Sequence, residues 1–336
     1  MKWKTTKLIK MKRFKKILCV AKPGEESKPA IERAVSLAQQ NQASLTIVDV
    51  VRKVASGINL PEGGPITNEL QTAIQRDHEE SLKPLIEPYR KRIDIDFKIL
   101  TGELFLEIIR QVLRYGHDLV IKVPDTYDWL DQLLGSEDMH LLRKCPCPVW
   151  MIKTDRDRTE RRVLAAVDVG DDDNSEQQDS LNDLNRLILE MAGSVAISDF
   201  AELHIAHVWN AAGEGTMRGA FMNISEEKVL AYVDKICAQH EHKLNQLMEE
   251  LKRKLGSDFD SYLSIKKHLI KGMARQEIPN LVKRIDADLI VMGTVARTGI
   301  PGFFMGNTAE TILNQINCSV LAIKPRGFKT PVELED

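Results

Sequence analysis

Arg161-Arg162-Val163-Leu164-Ala165-Ala166-Val167 restates an earlier stretch of the same chain, Lys15-Lys16-Ile17-Leu18-Cys19-Val20-Ala21. In each, a basic pair leads into an apolar run too short for a helix and without polar alternation, the pattern of a parallel strand covered on both faces. A repeat of this kind sets the organisation of everything between its copies. Working outward, a helical stretch follows in each half, Pro29 to Gln40 and Ser180 to Ala192, and then a second strand, Leu45 to Val51 and Leu203 to Trp209. Long amphipathic segments come next, from Glu69 to Arg92 and from Glu226 to Leu255. In the second, Val229, Val233, Ile236, Leu244, Leu247 and Leu251 recur at helical spacing, and Asn223 with Glu226 forms a capping-box pattern at its start.

The ends of the two halves agree in register. Gly102 stands sixteen residues before Asp118-Leu119-Val120-Ile121, and Gly272 stands sixteen before Asp288-Leu289-Ile290-Val291. Gly135 lies twelve residues before Cys147-Pro148-Val149, and Gly306 twelve before Cys318-Ser319-Val320. Each half therefore reads β-α-β-α-β-α-β-α-β. The expected fold is α/β, two tandem doubly wound domains, each a mainly parallel five-stranded sheet with helices on both faces. The boundaries expected are 12–155 and 160–326, with a basic leader over 1–11 and an acidic tail over 327–336; Met11 is a candidate start. The segments Gly57 to Pro65 and Ala211 to Gly219 hold equivalent places after the second strand and read as mobile loops.

Composition narrows the function classes. Over 336 residues, 47 Lys and Arg stand against 49 Asp and Glu, so no overall basic footprint points to nucleic acid. No apolar run reaches the length of a membrane span, and Ile17 to Ala21 is too short for a signal-peptide core, so a cytoplasmic protein without a membrane partner is expected. The five cysteines are an odd number and suit a reducing compartment. Cys145 and Cys147 have no paired Cys/His set downstream to make a metal site.

In doubly wound sheets a ligand sits beyond the carboxyl ends of the strands, where the chain reverses direction, and phosphate lies at a helix N-terminus. In the second half these ends carry Asp168 and the loop Gly293-Thr294-Val295-Ala296-Arg297-Thr298-Gly299-Ile300-Pro301-Gly302-Phe303-Phe304-Met305-Gly306-Asn307-Thr308. Its four glycines permit close backbone approach to a ligand. Phe303 and Phe304 read as core.

This loop resembles that of the universal stress protein family, whose ATP-binding members carry Gly, two residues, Gly, nine residues, then Gly followed by Ser or Thr. Here the spacing is intact over Gly293, Ala296, Gly306 and Asn307, with two letters changed. Ala296 adds a methyl where family backbone approaches phosphate, and Asn307 replaces a hydroxyl with an amide. The resemblance covers nearly the whole chain from Met11. His140 to Trp150 and Thr330 to Asp336 resemble tandem bacterial members of the family in particular. It implies an adenine nucleotide alpha hydrolase-like fold and a role in surviving stress, including DNA damage. It further implies ATP, ADP or AMP as ligand, with or without Mg. Asp168 would meet the ribose or adenine and the Val208 backbone the adenine. Gly293, Ala296, Gly306, Asn307 and Thr308 would line the phosphates, with Arg297 adding charge. In single-domain relatives the last strand is a dimer edge, so Val149 to Lys153 and Val320 to Lys324 would pair the two halves into an internal pseudo-dimer, leaving a homodimer of whole chains open.

The first half departs from the motif. Lys22 stands where Asp168 stands, Val123 replaces Gly293, and Pro124, Asp125 and Asp128 offer a missing donor and two negative charges, so this half is not expected to bind ATP. No catalytic residue and no metal ligand is expected. His204 and His207 alternate with apolar residues on a strand, and His240 and His242 do not share a helix face. Three readings stay open: a nucleotide sensor that acts on protein partners, a slow ATP hydrolase, and a non-nucleotide module holding an apolar ligand or a partner protein.

Overall fold

The computed structural model describes residues 14–54, 64–125, 137–153, 161–170, 175–219, 224–255, 263–295 and 305–334. The first half runs β1 (Lys16–Val20), α1 (Lys28–Asn41), β2 (Ser44–Val51), α2 (Pro65–Arg90), β3 (Ile95–Thr101), α3 (Leu104–Tyr115), β4 (Leu119–Lys122), α4 (Glu137–Lys144) and β5 (Val149–Met151). The second half runs β6 (Arg162–Ala166), α5 (Ser175–Ser198), β7 (Glu202–Trp209), a short α6 (Glu214–Met217), α7 (Glu226–Leu255), β8 (Ile265–Lys271), α8 (Ala274–Ile285), β9 (Leu289–Gly293), α9 (Asn307–Leu313) and β10 (Ser319–Ile323).

The two five-stranded units join edge to edge into one ten-stranded sheet, in the order β3-β2-β1-β4-β5-β10-β9-β6-β7-β8. Pairing is parallel within each half and antiparallel at the joint, where Val149, Trp150 and Met151 face Ala322, Leu321 and Val320. Strand alternation sends Ile17 and Cys19 to one face and Leu18 and Val20 to the other. One face packs under α1, α2, α5 and α7, and the opposite face under α3, α4, α8 and α9, so each core runs through both halves. Across the seam, Arg33 of α1 makes two 2.8 Å hydrogen bonds to the Asp199 carboxylate and lies 4.4 Å from the ring centre of Trp150. Arg143 of α4 bonds Glu310 of α9 at 2.6 Å.

Two elements differ from the sequence reading. Helix α5 extends to Ser198 through Gly193, because Ile188, Leu189, Ala192, Val195 and Ala196 continue a stripe buried against the sheet and packing outweighs the propensity cost of one glycine. The segment Ala211 to Gly219 contains the helical turn α6, entered through Gly213 at φ +80°. Asn223, of the capping-box pattern, lies outside the described residues. No helix among the described residues is long and apolar enough to cross a membrane.

Candidate functional site

From β6 the chain passes to β7 on one side, while β9 pairs with β6 on the other, so a crevice opens at the carboxyl ends of β6 and β9. Register decides what meets there. Pairing of Ala166 with Ala206 carries the half-buried Val208 to the level of Asp168, and pairing of Ala166 with Met292 carries Gly293 to the level of Val167.

Asp168 is held by its backbone. The Oδ1 atom of Asn185, a buried residue of α5, accepts the Asp168 N–H at 2.9 Å, and its Nδ2 donates to the Asp168 carbonyl at 2.6 Å. The Asp168 carboxylate in turn accepts the Gly170 N–H at 3.1 Å. His207 supports the same turn from β7: its Nδ1 lies 3.3 Å from the Val167 carbonyl and 3.4 Å from the Val169 nitrogen, and its Nε2 lies 2.9 Å from His240 Nδ1 on α7. Burial pushes the His207 imidazole down to about 4, so it is neutral at neutral pH and structural in use. Sequence reading left Asn185 unremarked, because an Asn on a helix has no pattern that announces a backbone clamp.

Opposite, β9 ends at Gly293. A Cβ built there would stand 2.8 Å from Leu184 Cδ2, so this glycine accommodates α5 packing as well as leaving the crevice open. The loop that follows is closed at its base by the Gly306 N–H bonding the Thr294 carbonyl at 3.1 Å, and by an antiparallel bridge between Val295 and Met305. Gly306 then caps α9, whose first bond runs from Glu310 N–H to the Gly306 carbonyl at 3.0 Å, with Asn307 and Thr308 exposed in its first turn. Amides of such a first turn lie ahead of the helix's own acceptors. Beneath the loop, buried Lys324 donates to Thr294 Oγ1 at 2.6 Å. Ala296, Arg297, Phe303 and Phe304 lie outside the described residues.

A model of the universal stress protein family matches residues 13–153 and again residues 161–324. The chain belongs to the universal stress protein family. It is 30% identical to universal stress protein E of Escherichia coli K12 over 333 residues, covering 97% of this chain and 99% of that one. It is 27% identical to a homologue of that protein from Haemophilus influenzae, covering 93% and 98%. A functionally unknown protein from Pseudomonas aeruginosa PAO1 superposes with TM-score 0.63 at 27% identity, over 94% of each chain. A universal stress protein from Archaeoglobus fulgidus shares the fold at TM-score 0.58 and 17% identity, over 92% of this chain and 96% of that one. Membership supports a role in the stress response.

The first universal stress domain has a different interior at the equivalent crevice. Lys122, at the end of β4, is 2% exposed and pairs with Asp138 of α4 at 2.9 Å and with Asp125. Lys22 reaches Asp125 at 2.9 Å, and the Asp125 N–H donates to Asp138 Oδ2 at 3.0 Å. Burial raises the Asp125 carboxyl, but Lys122 and Lys22 outweigh it and hold the group below the usual carboxylate range. In the second domain the matching positions hold Asp168, Met292, Val295 and Ala309. Two cations and two carboxylates thus neutralise one another where the second domain holds one carboxylate and three apolar residues, and Asp125, expected from the sequence to repel phosphate, is instead paired within an ion cluster. Asp128 lies outside the described residues.

Other candidate groups have structural partners. His204 Nδ1 lies 2.9 Å from His268 Nε2, and its Nε2 lies 2.9 Å from Glu202; burial lowers both imidazoles. Among the described residues no group of three or more His, Cys, Asp or Glu is arranged to hold a metal ion. The cleft at the domain seam, about 470 Å³, is lined by Arg33, Arg161, Asp199 and Asp288 together with Trp150, Ile152, Val163 and Leu289, a wall of mixed charged and apolar groups.

Proposed function

We propose that the chain is a non-catalytic cytoplasmic stress-response protein whose second domain binds an adenine nucleotide and reports it to protein partners. ATP, ADP or AMP is the ligand, with or without Mg. The observation that carries this reading is the convergence of Asp168 and Val208, at one level of the sheet, with Gly293 one residue below, beside a loop whose base closes on Gly306. On this reading Asp168 meets the ribose or adenine and the Val208 backbone the adenine. The backbones of Gly293, Ala296, Gly306, Asn307 and Thr308 meet the phosphates, with Arg297 adding charge. The neutral ion cluster of the first domain supports one site per chain, and that domain acts as a built-in dimer partner through β5 and β10.

Mass spectrometry of small molecules released from the purified chain, paired with ATP titration of wild type and Asp168→Ala, tests the reading. ATP or ADP near one per chain, with titration lost in Asp168→Ala, is expected. A protein that carries no nucleotide and gives no titration overturns it.

A further inference from the structure

Cys145-Pro146-Cys147-Pro148 joins α4 to β5. The Cys145 N–H donates back to the Leu141 carbonyl at 2.9 Å, and the Pro148 carbonyl accepts the Val120 N–H at 3.0 Å, so both ends of the tetrapeptide are tied into the fold. Each cysteine precedes a proline, which disfavours helical backbone for it, and Pro146 fixes its own φ at about −65°. On this stiff segment the two thiols meet. Cys145 Sγ lies 3.6 Å from Cys147 Sγ, and the two residues are 0% and 8% exposed, in the same apolar core as Leu141, Leu142 and Val149. The repeat register places Ile316 and Cys318 at the equivalent positions of the second domain, which therefore holds one sulfur where the first holds two.

A buried amine stands in the same corner of the core. Lys324 is 5% exposed, and its Nζ donates to the Leu142 carbonyl, three residues before Cys145, at 2.7 Å and to Thr294 Oγ1 at 2.6 Å. Both acceptors are neutral, and among the described residues no carboxylate stands within ion-pair distance of the amine. The ionisable group whose charge acts on it is Cys145. Two soft ligands and one amine are thus buried together without the anion that would offset the amine.

The sulfur separation is too long for a disulfide bond of about 2 Å. Metal–sulfur bonds of about 2.3 Å let two sulfurs at this distance meet one ion at a bent angle, and a small opening of the pair straightens it. Zinc takes four ligands, and calcium and magnesium take oxygen, whereas among the described residues no third His, Cys, Asp or Glu joins the pair. Thiolates suit Cu(I), which is stable with two of them. The sequence expectation of no metal site rested on a missing Cys/His set downstream, and a two-coordinate ion needs none.

We infer that Cys145 and Cys147 form a two-coordinate site for a soft monovalent cation of the Cu(I) class, with Lys324 as its buried counter-charge. Binding replaces two S–H bonds by two S–metal bonds. The two protons go to solvent, copper stays Cu(I), and the complex carries one negative charge, which the Lys324 ammonium offsets. The site uses none of the proposed nucleotide contacts and stands whether or not the second domain binds a nucleotide.

The test is anaerobic titration of the full chain with Cu(I), kept reduced by ascorbate, against a chromophoric Cu(I) chelator at neutral pH. Wild type and Cys318→Ala should each withhold one Cu(I) per chain. Cys145→Ala and Cys147→Ala should each weaken retention by about a hundredfold or more, and Lys324→Met, which keeps both sulfurs, by about tenfold. X-ray absorption at the copper edge of loaded wild type should show two sulfur neighbours, a readout independent of how any variant folds. Copper that the chelator removes freely from wild type, that Cys147→Ala withholds equally well, or that has three or more neighbours overturns the inference.

Discussion

Lys122 and Asp138 pair at 2.9 Å in the interior of the first domain, at the positions where the second domain carries Met292 and Ala309. The exchange is one of charge pair for apolar pair at a site buried in both domains. Removing Lys122 leaves Asp138 buried without a cation, which costs about 3–5 kcal/mol, whereas removing Asp138 leaves Lys122 paired with Asp125 and costs less. Lys122→Met should lower the urea midpoint strongly and Asp138→Ala less, and the double variant should recover part of the Lys122→Met loss. Equal, additive losses in chemical denaturation would show that the pair is not a unit.

Asn185 satisfies both backbone groups of Asp168. Asn185→Leu removes both of these bonds to the half-buried Asp168 backbone and buries an apolar side chain against it, with a cost of about 1–2 kcal/mol. Unfolding should be easier by that order, and ATP affinity, on the proposed reading, should weaken although Asn185 does not belong to the proposed contacts. An unchanged affinity alongside the stability loss would separate the clamp from the site.

The His207 imidazole is lowered to about 4 by burial, below its ordinary value of 6.5. The unfolded chain therefore binds a proton between pH 6.5 and 4 that the folded chain does not, and stability falls as pH drops through that window, by up to about 1.4 kcal/mol per unit. Wild type and His207→Gln compared by denaturation at pH 7 and pH 4.5 should differ less at the lower pH than at the higher.

Lys324 acts in a higher pH window. Its amine is lowered to about 7 in the fold from 10.5, so the unfolded chain holds the extra proton between those values and the contribution of this group to stability rises with pH across the window. The stability of wild type relative to Lys324→Met should increase from pH 7 to pH 9.5. A difference that stays flat would mean that the amine is charged throughout.

The architecture was legible in the sequence for a plain physical reason. Strands buried on both faces must be apolar throughout, so the runs at Ile17 and Val163 announce themselves, and helix stripes such as Val229 to Leu251 carry a period that any amphipathic helix must show. Asp168 and the loop from Gly293 to Gly306 could be singled out because strand ends in a parallel sheet are where a ligand can approach. Asn185, Leu184 and Lys324 could not. Their importance lies in what they touch, and contacts between α5 and β6, or between β10 and α4, depend on how layers stack rather than on any local pattern.

The same division holds for the molecule as a whole. By itself the sequence determined two copies of one α/β unit, the succession of strands and helices along each copy, and a first half without the loop chemistry of the second, because these follow from periodicity and residue type. The tertiary structure decided that the copies share one sheet through an antiparallel joint of Val149–Met151 with Val320–Ala322, and that Lys22, Lys122, Asp125 and Asp138 neutralise one another. It alone placed Lys324 between Thr294 and Leu142, since a lone lysine's partners are fixed by distances that no spacing along the chain encodes.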